Sequence, residues 1–217
     1  METTKKLDFG QTIKGAIQIG TKNAFTVLGT TILYVLTVWI PYLNIGTTIA
    51  FFTVLPVKLG KGESFSPTEI FDAKYRENMT NFFIVLGLFN AAIGFAMMLM
   101  FFPGLVVMYA WMLAAPLVIN KGMSPIEALN ASYKATYGSK WTIFFSYLVL
   151  GIIIFVVYLI FAGIAWVFGQ IAVWLGAIFG FLFGVAIAII SAAAYVGMFG
   201  QIYKSLILDK PAIEQEG

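Results

Sequence analysis

Three uninterrupted apolar stretches, residues 23–57, 78–120 and 141–203, alternate with four polar blocks, residues 2–22, 58–77, 121–140 and 204–216. No Asp, Glu, Lys, Arg or His falls inside a stretch. One helix needs about 20 residues to cross a hydrocarbon core of about 30 Å. Each stretch is far longer, so each is expected to fold back as a hairpin of two helices. Pro41-Tyr42-Leu43-Asn44, Phe102-Pro103-Gly104 and Gly169-Gln170 mark the expected turns, because Pro and Gly are tolerated where a helix ends. The pattern predicts an all-α membrane protein with six transmembrane helices as three hairpins. They fall at 24–40, 45–59, 82–101, 104–119, 141–167 and 172–203, and a cytoplasmic amphipathic interfacial helix precedes each hairpin.

The polar blocks resemble one another. Phe25, Phe83 and Trp141 open successive hairpins at a common spacing of 58 residues. At that offset Ser66-Pro67-Thr68-Glu69 falls on Ser124-Pro125-Ile126-Glu127 and Gly46 on Gly104. Pro56 and Lys61-Gly62 match Pro116 and Lys121-Gly122 with a two-residue gap. The reading is a single membrane domain over 1–217, with pseudo-repeats 7–62, 63–122 and 123–205 and a C-terminal polar tail at 206–217. Ser66 and Ser124 are N-cap candidates, followed by Pro at the first helical position and by Glu69 and Glu127 as capping-box partners. Helical spacing puts Phe9, Ile13, Ala16, Ile17 and Gly20 on one face. It does the same for Ile70, Phe71, Tyr75, Met79 and Phe82, with Asp72 and Arg76 as an opposed ion pair. In the third block Leu129, Tyr133, Thr136 and Tyr137 oppose Asn130 and Lys134. Such helices lie at the headgroup boundary.

Charge gives this layout a direction. All 13 basic residues lie in the polar blocks, which the hairpin reading puts on one side together with both termini. The positive-inside rule makes that side the cytoplasm, and the reading is a multi-pass protein of the cytoplasmic (inner) membrane. Trp39, Tyr42, Trp166 and Trp174 fall at the outer boundary and Trp141 at the inner one, as an aromatic belt would. No apolar run begins before Ala24, so no cleavable signal peptide is expected.

Composition narrows the chemistry. Of the 217 residues 60% are hydrophobic and 11% charged, too little polar surface for a soluble globule. The chain has no Cys and no His. That removes disulfides, thiolate and imidazole metal sites and His-based triads. The acids lie in the blocks with no nucleophile at a readable spacing. No cofactor and no enzymatic activity are expected. Basic and acidic residues are interleaved, which argues against a nucleic-acid partner.

The remaining candidates are structural. Gly176, Gly180, Gly184, Ala188 and Ala192 stand four residues apart, a stripe that lets a second helix approach. Packing against the preceding span is the first expectation and a homo-oligomeric seam the second. Asn90, mid-span, needs a hydrogen-bond partner, which is expected on a neighbouring helix. Thr30, Thr31, Thr37, Ser146 and Ser191 can bond within their own helices. Pro56 and Pro116 kink their spans near the exit and are hinge candidates.

The run from Phe102-Pro103-Gly104 through Ala115-Pro116-Leu117 and Lys121-Gly122-Met123-Ser124-Pro125-Ile126-Glu127-Ala128-Leu129 to Ser132, Gly138 and Trp141 resembles a known group. These are bacterial and archaeal polytopic membrane proteins related to the membrane domain of glycerophosphoryl diester phosphodiesterase. The likeness is best over 102–145. It implies the six-span fold and a bacterial-type membrane setting. It does not carry over diesterase activity, because the separate hydrolase domain and its His and acidic motif are missing. The expected role is a non-enzymatic, lipid-facing scaffold or an accessory subunit of a membrane complex, partnered by membrane lipids and by a second copy or another membrane protein. The alternative is a small transporter or channel for an uncharged or lipid-like solute.

Overall fold

The computed structural model describes residues 6–209, which are helical with short connections and contain no strand. In order, the helices are α1 (Phe9–Lys22), α2 (Ala24–Thr37), α3 (Pro41–Ile49) and α4 (Leu55–Lys61), the last two joined through a π-turn at Ala50–Val54. Two 3-10 turns follow, Pro67–Phe71 and Ala73–Arg76. Then come α5 (Met79–Leu99), α6 (Phe101–Trp111), α7 (Ala114–Lys121), α8 (Pro125–Thr136), α9 (Lys140–Ile171) and α10 (Val173–Tyr203). A second π-turn, Lys204–Leu208, closes the described chain, and residues 210–217 of the expected polar tail lie outside the described residues.

Local rules explain the ends. Asp8 caps α1 by accepting from the Gln11 amide at 2.7 Å. Ser124 and Glu127 form the expected capping box, the Ser124 amide donating to Glu127 Oε2 at 3.0 Å. Gly62 and Gly122 end α4 and α7 at φ +80° and +66°, the left-handed conformation that glycine takes without steric cost. Single extended residues, Met100 and Ala172, separate α5 from α6 and α9 from α10. Both turns come slightly off the expected Pro-Gly and Gly-Gln positions. Gly169 instead lies inside α9 against Gly176, where a methyl would meet the Gly169 Cα at 2.7 Å. The glycines serve the close packing beneath the turn, and not the turn itself.

The lower half of α10 is the hub. Val196 through Gly200, Ile202 and Tyr203 are all buried. α1 runs antiparallel to it: Gly15 lies on Gln201, Ala16 on Gly197 and Gly20 on Ala193. The face that α1 buries is the narrow ridge Thr12, Ala16, Gly20, leaving Phe9 and Ile17 exposed on its shoulders. α4 crosses α10 where Gly200 meets Gly60 and the Pro56 carbonyl. Two apolar cores surround this hub. One gathers Val57, Leu113, Leu117, Ile143 and Met198, the other Val27, Ile49, Leu55, Ile70 and Val196.

Two amphipathic segments depart from expectation. Residues 66–79 form no continuous helix. Asp72 is extended (φ −59°, ψ 126°) between the two 3-10 turns, and Asp72 pairs with Lys74 at 2.7 Å instead of with Arg76. In α8 the buried face is Ala128, Leu129, Ser132, Ala135 and Thr136, while Tyr133 and Tyr137 point outward.

Candidate functional site: two apolar hairpins and a charged clamp

Among the described residues, Pro41–Lys61, Met79–Leu99, Phe101–Lys121, Lys140–Ile171 and Val173–Leu208 are long and apolar enough to cross a membrane. α2 is equally apolar but has 14 residues, a rise of about 21 Å. These elements differ in what covers them. In the most apolar 18-residue window of Pro41–Lys61, 67% of the residues are buried inside the protein. In the α9–α10 hairpin no residue between Ser146 and Val196 is fully covered, and Phe181 is 72% exposed. The α5–α6 hairpin is largely bare apart from Phe82, Val85, Ala96, Gly104 and Ala110, with Met98 87% exposed. The two helices of α9–α10 hold together through stacked Phe161–Phe183 and Phe168–Phe179 pairs, centroids 4.7 and 4.1 Å apart. Their outward faces present Ile, Leu, Val and Phe side chains. Contiguous apolar surface of this extent marks lipid or a partner.

The polar block 58–77 forms a clamp. Glu69 accepts hydrogen bonds from Lys58 Nζ and from the Tyr75 hydroxyl, the latter at 2.6 Å, with Lys74 Nζ 3.6 Å away. Lys58 and Lys74 also sit over the rings of Phe65 and Tyr75 at 5.7 and 5.0 Å. This is why the Ser66-to-Glu69 motif does not close into a capping box: a tertiary cation and a phenol take the carboxylate that the cap needs. Partial burial on its own raises the Glu69 carboxyl. The hydrogen bonds from Lys58 and Tyr75 and the charges of Lys58 and Lys74 outweigh it and hold the group below its ordinary 4.5. The folded state then binds this proton less tightly than the unfolded state, so the clamp stabilises the fold above about pH 4.5 and the stabilisation is lost as pH falls through the lower folded value. Thermal unfolding in detergent, followed from pH 7 to pH 3, should show this acid limb in the wild type. Glu69→Gln should flatten it and lower the midpoint at neutral pH.

Arg76 leaves the clamp and covers the ring of Tyr42 at 4.8 Å, with its side chain against Gly46. The chain between Lys61 and Arg76 therefore folds back along α3–α4 to the turn at Pro41. Likewise Phe102 and Lys140 line one cleft, in company with Leu105, Val106, Trp141 and Phe144. Both arrangements bring a turn expected outside near a charge expected inside.

The proline sites are tied rather than free. Asn120 Nδ2 donates to the Pro116 carbonyl at 2.9 Å and across to the Thr53 carbonyl at 3.1 Å, linking α7 to the π-turn before Pro56. Buried Ser132 donates to the Ala110 carbonyl at 2.7 Å and accepts from the Leu113 amide at 3.1 Å, satisfying the groups freed between α6 and α7. A buried group left unpaired there costs about 1–3 kcal/mol. Sequence reasoning missed Asn120. It met Ser132 only as a motif residue, since nothing local shows what a mid-helix serine will reach.

The other candidates divide. Gly176 packs within its own hairpin and Ala192 against the second core, but a methyl at Gly180 or Gly184 would meet nothing. Ala188 is exposed too. The stripe rotates out of the α9 interface because the two helices meet through phenylalanines. Asn90 does not bridge helices: it is exposed and donates to the Leu86 carbonyl of its own turn at 2.7 Å. Thr30, Thr31 and Thr37 bond back within α2 at 2.7 Å each, whereas the buried Ser146 hydroxyl has no protein partner. Among the described residues no three acidic side chains stand close enough to hold a metal ion. Comparison of the chain with protein-family models, with curated proteins and with solved structures found no match.

Proposed function

We propose that this chain is an integral protein of the cytoplasmic membrane, non-enzymatic, acting as a lipid-facing scaffold or as an accessory subunit of a membrane complex. The observation that carries this is the bare α9–α10 hairpin. From Leu150 to Ile171 it rises about 33 Å at 1.5 Å per residue, a match to a hydrocarbon core of about 30 Å. The likeness of residues 102–145 to the phosphodiesterase membrane domain belongs to the same reading.

The proposal amends the six-span layout. Residues 62–78 carry Glu63, Glu69, Asp72, Lys74, Arg76 and Glu77 and form no long helix, so they do not cross a bilayer. Arg76 on Tyr42 then supports placing the Pro41 turn on the same side as Lys61. The short α2 and the protein-covered α3–α4 fit that placement. The shared cleft of Phe102 and Lys140 supports the same for the α5–α6 turn. On this reading α9 and α10 make the two full crossings. The other apolar helices form a unit seated in the near leaflet, and both termini stay cytoplasmic.

A scaffold moves no solute. In proteoliposomes, glycerol and urea permeability followed by stopped-flow light scattering should equal that of empty vesicles. Protein-dependent flux of either would overturn the scaffold reading in favour of the transporter.

A further inference from the structure

The cleft between α6 and α9 combines three features. Its walls are apolar: Phe102, Leu105 and Val106 from α6, Trp141 and Phe144 from α9. It is partly open rather than enclosed, so it suits a chain lying along it better than a sequestered solute. Lys140 lines it as well, its ammonium 4.4 Å from the Tyr133 ring centre and 5.9 Å from that of Tyr137. The described ion pairs all involve Lys58, Lys61 or Lys74, and none reaches Lys140, Lys134 or Lys6. Lys6 closes in from the N-terminus, its Cε 3.8 Å from the position a Gly138 Cβ would take. Asp8, the nearest acid in sequence, is occupied in capping α1.

An ammonium resting on a ring uses one face for the ring and leaves N–H donors for an anion. Trp141 beside it is 56% exposed, and on the membrane reading an indole at the start of α9 falls in the headgroup region that indoles favour. We propose that this cleft seats one anionic phospholipid of the near leaflet. Its acyl chain would lie along Phe102, Val106 and Trp141, and its phosphate would meet Lys140 with Lys6 in support. A zwitterionic lipid offers the same chains, but its own cation faces two unpaired lysines, so the charge selects the anionic class. The inference rests on the membrane reading above.

The test uses full-length protein in vesicles of phosphatidylcholine doped with either brominated phosphatidylglycerol or brominated phosphatidylcholine. The Trp141 signal is the difference between wild type and Trp141→Phe. Brominated phosphatidylglycerol should quench that signal about twofold more than brominated phosphatidylcholine. Lys140→Arg should retain the preference and Lys140→Gln should abolish it, with circular dichroism confirming that both fold. Inorganic phosphate at matched ionic strength should leave the preference intact. Equal quenching by both lipids, an unchanged preference in Lys140→Gln, or reversal by free phosphate would each overturn the site while leaving the membrane reading standing. Quenching by neither lipid would overturn the membrane reading and the site with it.

Discussion

Gly197→Ala should cost about 3 kcal/mol of stability, whereas Gly184→Ala, thirteen positions earlier in the same helix, should raise stability by up to about 1 kcal/mol. A methyl at position 197 would overlap the Ala16 carbonyl oxygen and come within 3.0 Å of the Gly20 amide nitrogen. These are backbone atoms of α1, which cannot rotate away as a side chain would. α1 would have to withdraw from α10, opening the close approach of Gly20 to the Ala193 carbonyl, where an added methyl would stand only 2.7 Å from the oxygen, and loosening the core that holds Ala16, Met198 and Ile202. At Gly184 the methyl enters open space, and only the intrinsic gain of alanine over glycine in a helix remains. Thermal midpoints in one detergent, read by circular dichroism, should move in opposite directions. A shared sign would mean that α1 does not pack on α10 as described. A fall confined to Gly184→Ala would point to a helix seam there, as between copies of the chain.

The comparison of these glycines shows what the sequence can and cannot disclose. The four-residue stripe from Gly176 is conspicuous, but a period says only that small residues share a face, not that anything lies opposite. The glycines that carry close contacts, Gly20, Gly60, Gly197 and Gly200, belong to three helices, and their meeting depends on where those helices cross. The helical content was legible, and so was the apolar character of the α5–α6 and α9–α10 hairpins, because long uncharged runs leave few alternatives. The Ser124–Glu127 capping box and the Gly62 and Gly122 ends were legible for the same reason: each is decided within four residues. The matching Ser66–Glu69 motif was misread because its outcome is decided by Lys58 and Tyr75, distant in sequence from Ser66 and able to bind the carboxylate more strongly than a backbone amide does. The candidate site was less legible still. Lys140 is one unremarkable lysine in the sequence. It acquires meaning only when α8 presents Tyr133 and Tyr137 outward, a face opposite to the one that helical spacing suggested, and when α6 brings Phe102 alongside.

The same logic governs sidedness. Counting charges assigns sides to the polar blocks, but not to the turns between apolar runs, because an apolar hairpin can cross the bilayer or fold back within a packed unit with identical composition. On the reading proposed above, the Arg76–Tyr42 contact favours the second outcome for the Pro41 turn. The chain has no native Cys, so single cysteines report position cleanly. Trp39 at the first turn is 84% exposed, and Gln170 at the last turn is exposed as well; both tolerate a small replacement. The most direct measurement is labelling of Trp39→Cys, Lys61→Cys and Gln170→Cys by a membrane-impermeant maleimide, in intact cells and after permeabilisation. The account predicts that Gln170→Cys reacts in intact cells, and that Trp39→Cys and Lys61→Cys react only once the membrane is opened. Labelling of Trp39→Cys from outside, or protection of Gln170→Cys there, would contradict it.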